Sequence, residues 1–382
     1  MKRIVIIFSI CFFLFFYVTW MVFFYLPVYL RTINISNIEI GILVGVFSLV
    51  APMLALFFGL LSDRSSPRSL IQTGAGLIIL SLCGLYFATN FPALLLIFVV
   101  AGAGTTLFLI SLNSLYFKHL QGGKRGIKLA ILMFSGHLGL GLGPLTGGLV
   151  IDFFGQRAVF LVGAIAVLLL LMITTKIGDI PPIKFALVQY KKDLRKKDVL
   201  FLILIILTVG FHFGTEKTSL ALFMDTAINL TAWEIATVFG ISGLWLGVFS
   251  LICGHAFDTK KNVFIFLSLG LAISGIFQAL TPLANSYLAI IIVRILHVSG
   301  DAFLILSSAL IISIIFPRER MGGSFGLMMT IRAGGVFLGA LISGYLNTRY
   351  GYHVPLIVSG TLLIILSISF IPYRKSFNWR QS

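Results

Sequence analysis

Charge is what this chain has least of. Asp, Glu, Lys and Arg together make up 10% of its 382 residues, against about 25% in a soluble domain. Acids are the scarcest, 12 against 28 Lys and Arg. Hydrophobic residues fill 59% of the chain and mean hydropathy is +1.08, so a water-soluble globule is excluded and the bilayer is the solvent. Cysteine is nearly absent too. Cys11, Cys83 and Cys253 each fall inside an apolar run, an odd set that offers neither a disulfide framework nor a metal-binding spacing. They read as small buried hydrophobes. No phosphate-binding loop and no nucleophile–base pair stands out, so an enzyme, a nucleotide-driven pump and a bound cofactor are not expected. The net charge of +16 would suggest nucleic acid in a soluble protein, but here its distribution along the chain decides, and no nucleic acid is expected.

What is present is a repeated grammar. Asn34-Ile35-Ser36-Asn37-Ile38-Glu39-Ile40 returns as Asn229-Leu230-Thr231-Ala232-Trp233-Glu234-Ile235, 195 residues later. Gly59-Leu60-Leu61-Ser62-Asp63 returns as Gly254-His255-Ala256-Phe257-Asp258 at the same distance, and Arg125 maps onto Arg320. Gly143 and Gly148 map onto Gly339 and Gly344 at 196. Matches at one offset in a hydrophobic chain indicate internal duplication, the usual build of membrane bundles that enclose a site between halves.

Spans need about 20 apolar residues. Twelve are expected, near 4–30, 38–61, 69–88, 92–117, 127–151, 157–175, 199–224, 233–257, 262–283, 286–315, 321–346 and 353–372. The first is too long and too aromatic for a secretory signal. A polar stretch, 176–198, carries Pro181-Pro182 and the basic run Lys191-Lys192-Asp193-Leu194-Arg195-Lys196-Lys197. It divides the chain into an N-terminal six-helix bundle (1–175), a cytoplasmic basic linker, and a C-terminal six-helix bundle with a short tail (199–382). Placing both termini in the cytoplasm leaves only Arg31, Arg157 and Arg349 in outer loops, with Lys217, Arg294 and Arg332 inside spans. The remaining basic residues lie inside, as the positive-inside rule requires.

Two acids belong to helix starts. Ser36-x-x-Glu39 and Thr231-x-x-Glu234 are capping boxes for spans two and eight. The nominal glycosylation sequons at Asn34 and Asn229 are by-products of those caps. The loop after span two reads Gly59-Leu60-Leu61-Ser62-Asp63-Arg64-Ser65-Ser66-Pro67-Arg68. Its glycine allows close helix approach, its acid can accept from a helix start, and its arginines can pair with acids, which together would make a cytoplasmic latch. Span five carries Gly139-Leu140-Gly141-Leu142-Gly143-Pro144-Leu145-Thr146-Gly147-Gly148, with small residues for tight packing and Pro144 for a bend.

These two stretches resemble the major facilitator superfamily. Gly59 to Arg68 is similar to its loop motif Gly-x-x-x-Asp-Arg-x-x-x-Arg, apart from Pro67 where glycine is usual. Gly139 to Gly148 is similar to the Gly-x-x-x-Gly-Pro-x-x-Gly-Gly pattern of its proton-coupled antiporters. Span count, linker and repeat extend the resemblance over the whole chain. It implies an all-α fold of twelve transmembrane helices in two pseudo-symmetric six-helix bundles. It also implies a latch of Gly59, Asp63, Arg64, Arg68 and Asp258, and a packing motif of Gly139, Gly143, Pro144, Gly147 and Gly148. Span four, however, lacks the family's arginine motif and span one lacks any acid, so ionic coupling is expected in the C-terminal half.

Charge inside a span is costly and marks function by default. Arg294, His297 and Asp301 share one stripe of span ten, with Arg294 and Asp301 about 10 Å apart along the axis. Each therefore needs a partner elsewhere: Arg332 of span eleven for Asp301, and Glu216-Lys217 of span seven for Arg294. The resemblance places spans one, four, seven and ten around a central cavity. Asp301, Glu216 and His297 are accordingly the proton-coupling candidates; Arg294, Arg332, Lys217, Tyr17 and Trp20 are the substrate-cavity candidates. The structural alternative for the charges is a satisfied ion network that only orients helices, and for the aromatics of span one, contact with lipid and neighbouring helices. His137, His212 and His297 lie mid-span, and their spacing gives no metal motif.

The expected function is a secondary transporter working by alternating access, exporting a small amphipathic compound against protons. Proton-coupled uptake of an organic anion or sugar is the near alternative, since the cavity candidates carry an excess of cations. A non-transporting assembly factor or sensor with the same fold is the third reading. The protein is expected to act as a monomer in a bacterial cytoplasmic (inner) membrane, with a small-molecule substrate, protons and the lipid bilayer as its partners.

Overall fold

The computed structural model describes residues 2–23, 26–35, 37–120, 124–180, 197–260 and 262–370. The described residues form α-helices joined by short turns, with no strand among them. In chain order the helices are α1 (Lys2–Phe23), α2 (Leu26–Thr32), α3 (Asn37–Arg64), α4 (Pro67–Phe87), α5 (Phe91–His119), α6 (Arg125–Phe154) and α7 (Ala158–Thr174). There follow α8 (Lys197–Thr226), α9 (Ala232–Lys260), α10 (Val263–Leu280), α11 (Tyr287–Ile315), α12 (Met321–Tyr350) and α13 (His353–Phe370). Each expected span after the first coincides with one helix. Among the described residues eleven helical stretches are long and apolar enough to cross a membrane, and α7, with 17 residues, is shorter. At a rise of 1.5 Å per residue α7 reaches about 26 Å, near the lower limit for a span. The first expected span is covered by α1 and α2. The basic run of the linker, the Ser36 cap and the C-terminal tail lie outside the described residues.

The chain folds as two compact units. One comprises Met1–Leu120, Ser135–Phe185 and Arg318–Thr330; the other comprises Gln121–Phe134, Ala186–Pro317 and Ile331–Ser382. The first part of α6 thus belongs with the second unit, and the first part of α12 with the first. Within the first unit α4 packs on α5 and α7, α3 on α5, and α1 on α7. The second unit repeats that pattern, with α10 on α11 and α13, α9 on α11, and α8 on α13.

The duplication reaches the backbone. Asn34 and Asn229 both adopt positive φ, 61° and 60°, a conformation asparagine tolerates better than most residues. Each immediately precedes a span. Gly155 and Gly351 end α6 and α12 with φ of 82° and 84°, the left-handed stop that glycine supplies without strain. Thr231 and Glu234 form the expected capping box: the Thr231 amide donates to the Glu234 carboxylate at 2.8 Å and the Glu234 amide to the Thr231 hydroxyl at 3.3 Å.

The glycine motif of α6 lies against α1. A Cβ on Gly139 would sit 2.5 Å from the carbonyl oxygen of Phe13, and one on Gly143 2.5 Å from that of Tyr17. In the second unit Gly335 and Gly339 of α12 approach Leu207 and Phe211 of α8 in the same way. Small residues at a four-residue spacing let the two backbones touch.

Candidate functional site

Two helices of the second unit carry the same local pattern. On α8, His212 and Glu216 are one turn apart; on α11, His297 and Asp301 are one turn apart, with Arg294 a turn before them. Residues at this spacing share a helix face, and the two faces meet. Arg294 Nη2 lies 2.6 Å from Glu216 Oε1. His297 Nε2 lies 3.0 Å from the same oxygen and 3.1 Å from Asp301 Oδ2. His212 Nε2 is 3.9 Å from Glu216 Oε2 and 3.8 Å from Asp301 Oδ1. The cluster is closed off from solvent: both imidazoles have 0% side-chain exposure, Asp301 3% and Glu216 13%.

Helix α10 supplies the outer contacts. The Ser274 hydroxyl donates to Asp301 Oδ1 at 2.7 Å, and Gln278 Oε1 accepts from Arg294 at 3.1 Å. The Ser274 carbonyl lies 2.9 Å from His297 Nδ1. A carbonyl can only accept, so His297 Nδ1 carries a proton and Nε2 faces the carboxylates. On α13, Ser359 Oγ lies 3.0 Å from His212 Nδ1. Gly300 makes this closeness possible, because any Cβ there would collide with the backbone of Ser274. Even so, the Nε2 atoms of His212 and His297 have no hydrogen bond of acceptable geometry. Chemically, the arrangement is two anions, one fixed guanidinium and two imidazoles around a dry centre, a place that attracts a cation.

The structure therefore joins Glu216, Arg294, His297 and Asp301, four of the residues singled out from sequence. Glu216 takes Arg294, as expected. The expected pairing of Asp301 with Arg332 is not formed. Asp301 is engaged by the histidines and Ser274, while the Arg332 guanidinium lies over the Phe213 ring at 5.0 Å from its centre. The turn of α12 about its axis, which sequence spacing does not specify, sends Arg332 to that ring. Lys217 is exposed, and no ion pair with an acid is present for it or for Arg332 among the described residues. In the first unit Tyr17 is half-buried and stacks on Phe13 at 5.7 Å, and Trp20 is 39% exposed.

The two acids expected to form a latch, Asp63 and Asp258, are both engaged at helix starts. Asp63, buried at the end of α3, accepts from the amides of Gly322 and Gly323 at 2.9 and 2.6 Å. Asp258, at the end of α9, accepts from Gly126 and Ile127 at 2.8 and 2.9 Å. Each acid therefore meets the positive end of a helix dipole. Lys118 lies beside Asp63, with Nζ 2.7 Å away. Arg64, by contrast, is exposed, and Arg68 contributes its backbone amide to Asp179 at 3.3 Å; neither guanidinium forms an ion pair among the described residues.

Sequence reasoning passed over Lys118, Ser274 and Gln278, and took His212 only as one of three mid-span histidines. Lys118 looked like one more inner-loop cation. Ser274 and Gln278 are uncharged and one turn apart in an apolar helix, a faint signal. His212 had a clear one. The histidines were compared only with each other, yet His212 and His297 each have an acid four residues on, and the two His-x-x-x-acid pairs together place four ligand-type atoms within 4.8 Å of one another.

A family model described as Major Facilitator Superfamily matches residues 8–269 and 218–382. The chain is 26% identical over 334 residues to the quinolone resistance protein NorA of Staphylococcus aureus, covering 84% of each chain. It is 22% identical over 340 residues to an uncharacterized MFS-type transporter, MJ1560, of Methanocaldococcus jannaschii, covering 85% of this chain and 86% of that one. Among solved structures, the human organic anion transporter MFSD10 (TETRAN) superposes with a TM-score of 0.82 at 14% identity, over 96% of this chain and 98% of that one. At that identity the likeness concerns the fold, an all-helical bundle of membrane spans.

Proposed function

Because the chain belongs to the major facilitator superfamily, we propose that it is a secondary active transporter that exports a small amphipathic compound by alternating access, driven by protons. The observation that carries this reading is the buried cluster on α8 and α11. Ionisable groups this deep in an apolar bundle are costly unless they do work, and this cluster can gain and lose positive charge as its access to water changes. Asp301, Glu216 and His297 are the proposed coupling residues, with Arg294 holding Glu216 in place. Similarity to a protein named for quinolone resistance supports export of an amphipathic compound. Tyr17 and Trp20 offer rings with a hydrogen-bond donor for such a molecule.

In this reading Asp63 and Asp258 form the exchanging latch and the glycines of α6 the sliding contact. The protein works as a monomer in a bacterial cytoplasmic membrane with both termini inside. One observation favours a second reading, uptake of an organic anion with protons. Lys217 and Arg332 are cations of the spans that form no ion pair with an acid among the described residues, and the exposed Lys217 could meet a carboxylate.

The test is proton movement in proteoliposomes of oriented, folded protein as lipophilic cations, organic anions and sugars are added in turn. Proton flux triggered by one class, running opposite to that class, supports export. Flux in the same direction supports the second reading. No flux with any class removes both.

A further inference from the structure

We propose that His212, Glu216, His297 and Asp301 form a binding site for one divalent transition-metal ion of the zinc or cobalt kind. The proposal goes beyond the transport reading and does not depend on it. Each residue offers one ligand atom, and the four atoms lie within 4.8 Å of one another. Around a tetrahedral zinc ion with bonds of about 2.0–2.2 Å, neighbouring ligand atoms sit about 3.3–3.6 Å apart. Measured to whichever carboxylate oxygen faces each ring, the histidine–carboxylate separations are 3.0, 3.1, 3.8 and 3.9 Å, on either side of that value, so a small turn of each carboxylate would present one oxygen to the ion.

The surroundings fit as well. A metal-bound histidine commonly engages a carbonyl or other oxygen through its second ring nitrogen, which fixes the ring and leaves the first nitrogen as ligand. Both imidazoles are held this way, His297 Nδ1 by the Ser274 carbonyl and His212 Nδ1 by Ser359 Oγ. Both Nε2 atoms are buried, turned into the cluster and without a hydrogen bond. Arg294 occupies Oε1 of Glu216, and Oε2 is the oxygen turned to His212.

A proton answers only part of this. Placed on His297 Nε2 it would lie between the two carboxylates, but His212 Nε2, at 3.8 and 3.9 Å from them, would stay unsatisfied. A metal ion in the centre serves both nitrogens. Mixed imidazole and carboxylate donors suit zinc and its first-row neighbours better than magnesium or calcium, which take oxygen. With neutral imidazoles the groups in direct contact, the two carboxylates and Arg294, sum to one negative charge, with Arg332 acting on Asp301 from beyond ion-pair distance.

The experiment titrates purified full-length protein in detergent, stripped of metal, with Co²⁺. Visible absorption reports coordination, and Zn²⁺ is then added as competitor. One Co²⁺ per chain, with the intense bands of four-coordinate cobalt and displacement by Zn²⁺, is the expected result. His212→Ala should weaken binding by at least about 100-fold. Ser274→Ala, which removes the hydroxyl on Asp301 but keeps the carbonyl on His297, should weaken it about 10-fold. Gel filtration and thermal unfolding without metal show whether each variant folds; should His212→Ala not fold, His212→Gln takes its place. Folded wild-type protein that binds no stoichiometric cobalt overturns the proposal, as does equal affinity in wild type and the His212 variant. Failure here with proton-driven transport intact removes only the metal site. Metal binding without proton flux for any substrate removes only the transport reading.

Discussion

Replacing Asp63 by Asn tests the physics of the buried contacts around that carboxylate most directly. The carboxylate has 0% side-chain exposure and its partner Lys118 has 7%. Its donors include the Gly322 and Gly323 amides at 2.9 and 2.6 Å and the ammonium at 2.7 Å. Asparagine keeps the shape, loses the charge, and turns an NH2 group towards donors. Stranding one partner of a buried pair costs about 3–5 kcal/mol. Lys118 retains the Ser62 carbonyl at 3.3 Å, so the lower end, about 3 kcal/mol, is expected for Asp63→Asn. Lys118→Met should cost less, about 1–2 kcal/mol, because Asp63 keeps both amides and the favourable helix end. The double variant should fall short of the sum by about 1–2 kcal/mol, the mark of groups in direct contact. Unfolding in mixed micelles with rising SDS gives these differences. Asp63→Asn within about 0.5 kcal/mol of wild type, or strict additivity with Lys118→Met, refutes the argument.

Other outcomes follow from the same contacts. Asp63→Ala should slow transport turnover more than it weakens substrate binding, if the latch exchanges during the cycle; equal loss of folded protein would show a structural role only. Asp301→Asn should abolish uphill accumulation in proteoliposomes while substrate exchange continues, and unchanged uphill transport would remove Asp301 from the coupling mechanism. Gly143→Val places a branched side chain against the Tyr17 carbonyl, where even a Cβ sits at 2.5 Å. An overpacking cost of about 1–3 kcal/mol is expected, seen as a lower unfolding midpoint, whereas the same change at Gly76, with nothing within 4 Å, should cost less. Thr231→Ala removes one side of the capping box and should cost about 0.5–2 kcal/mol, measurable in the same micelle titration.

How much of this was legible in the sequence depended on the kind of signal. Hydropathy runs located the spans because lipid contact imposes a long, continuous demand. The repeat offset foretold matched backbone features, since Asn34 and Asn229 occupy one role and Asp63 and Asp258 another. The Glu216–Arg294 pair was legible because few acids are available at that depth. Rotation of a helix about its axis is a different matter. Arg332 looked like the partner of Asp301 by elimination, but its place over Phe213 is set by how α12 packs on α8. Lys118 was invisible for the opposite reason: it resembles every other inner-loop cation until the fold buries it. The polar residues of α10 carry no charge, so Ser274 and Gln278 left little trace in a composition-led reading.

The exchange of helix starts between the two units bears on how the chain is made. The first unit includes Arg318–Thr330, so its last structural element emerges from the ribosome long after the other parts. Until then Asp63 has Lys118 but lacks the amides of Gly322 and Gly323. Conversely, Gly126 and Ile127 wait for Asp258. Neither sequence half, expressed alone, holds all the donors and acceptors its own helix ends require. These helix ends are therefore completed only once residues 318–330 and Asp258 have been made.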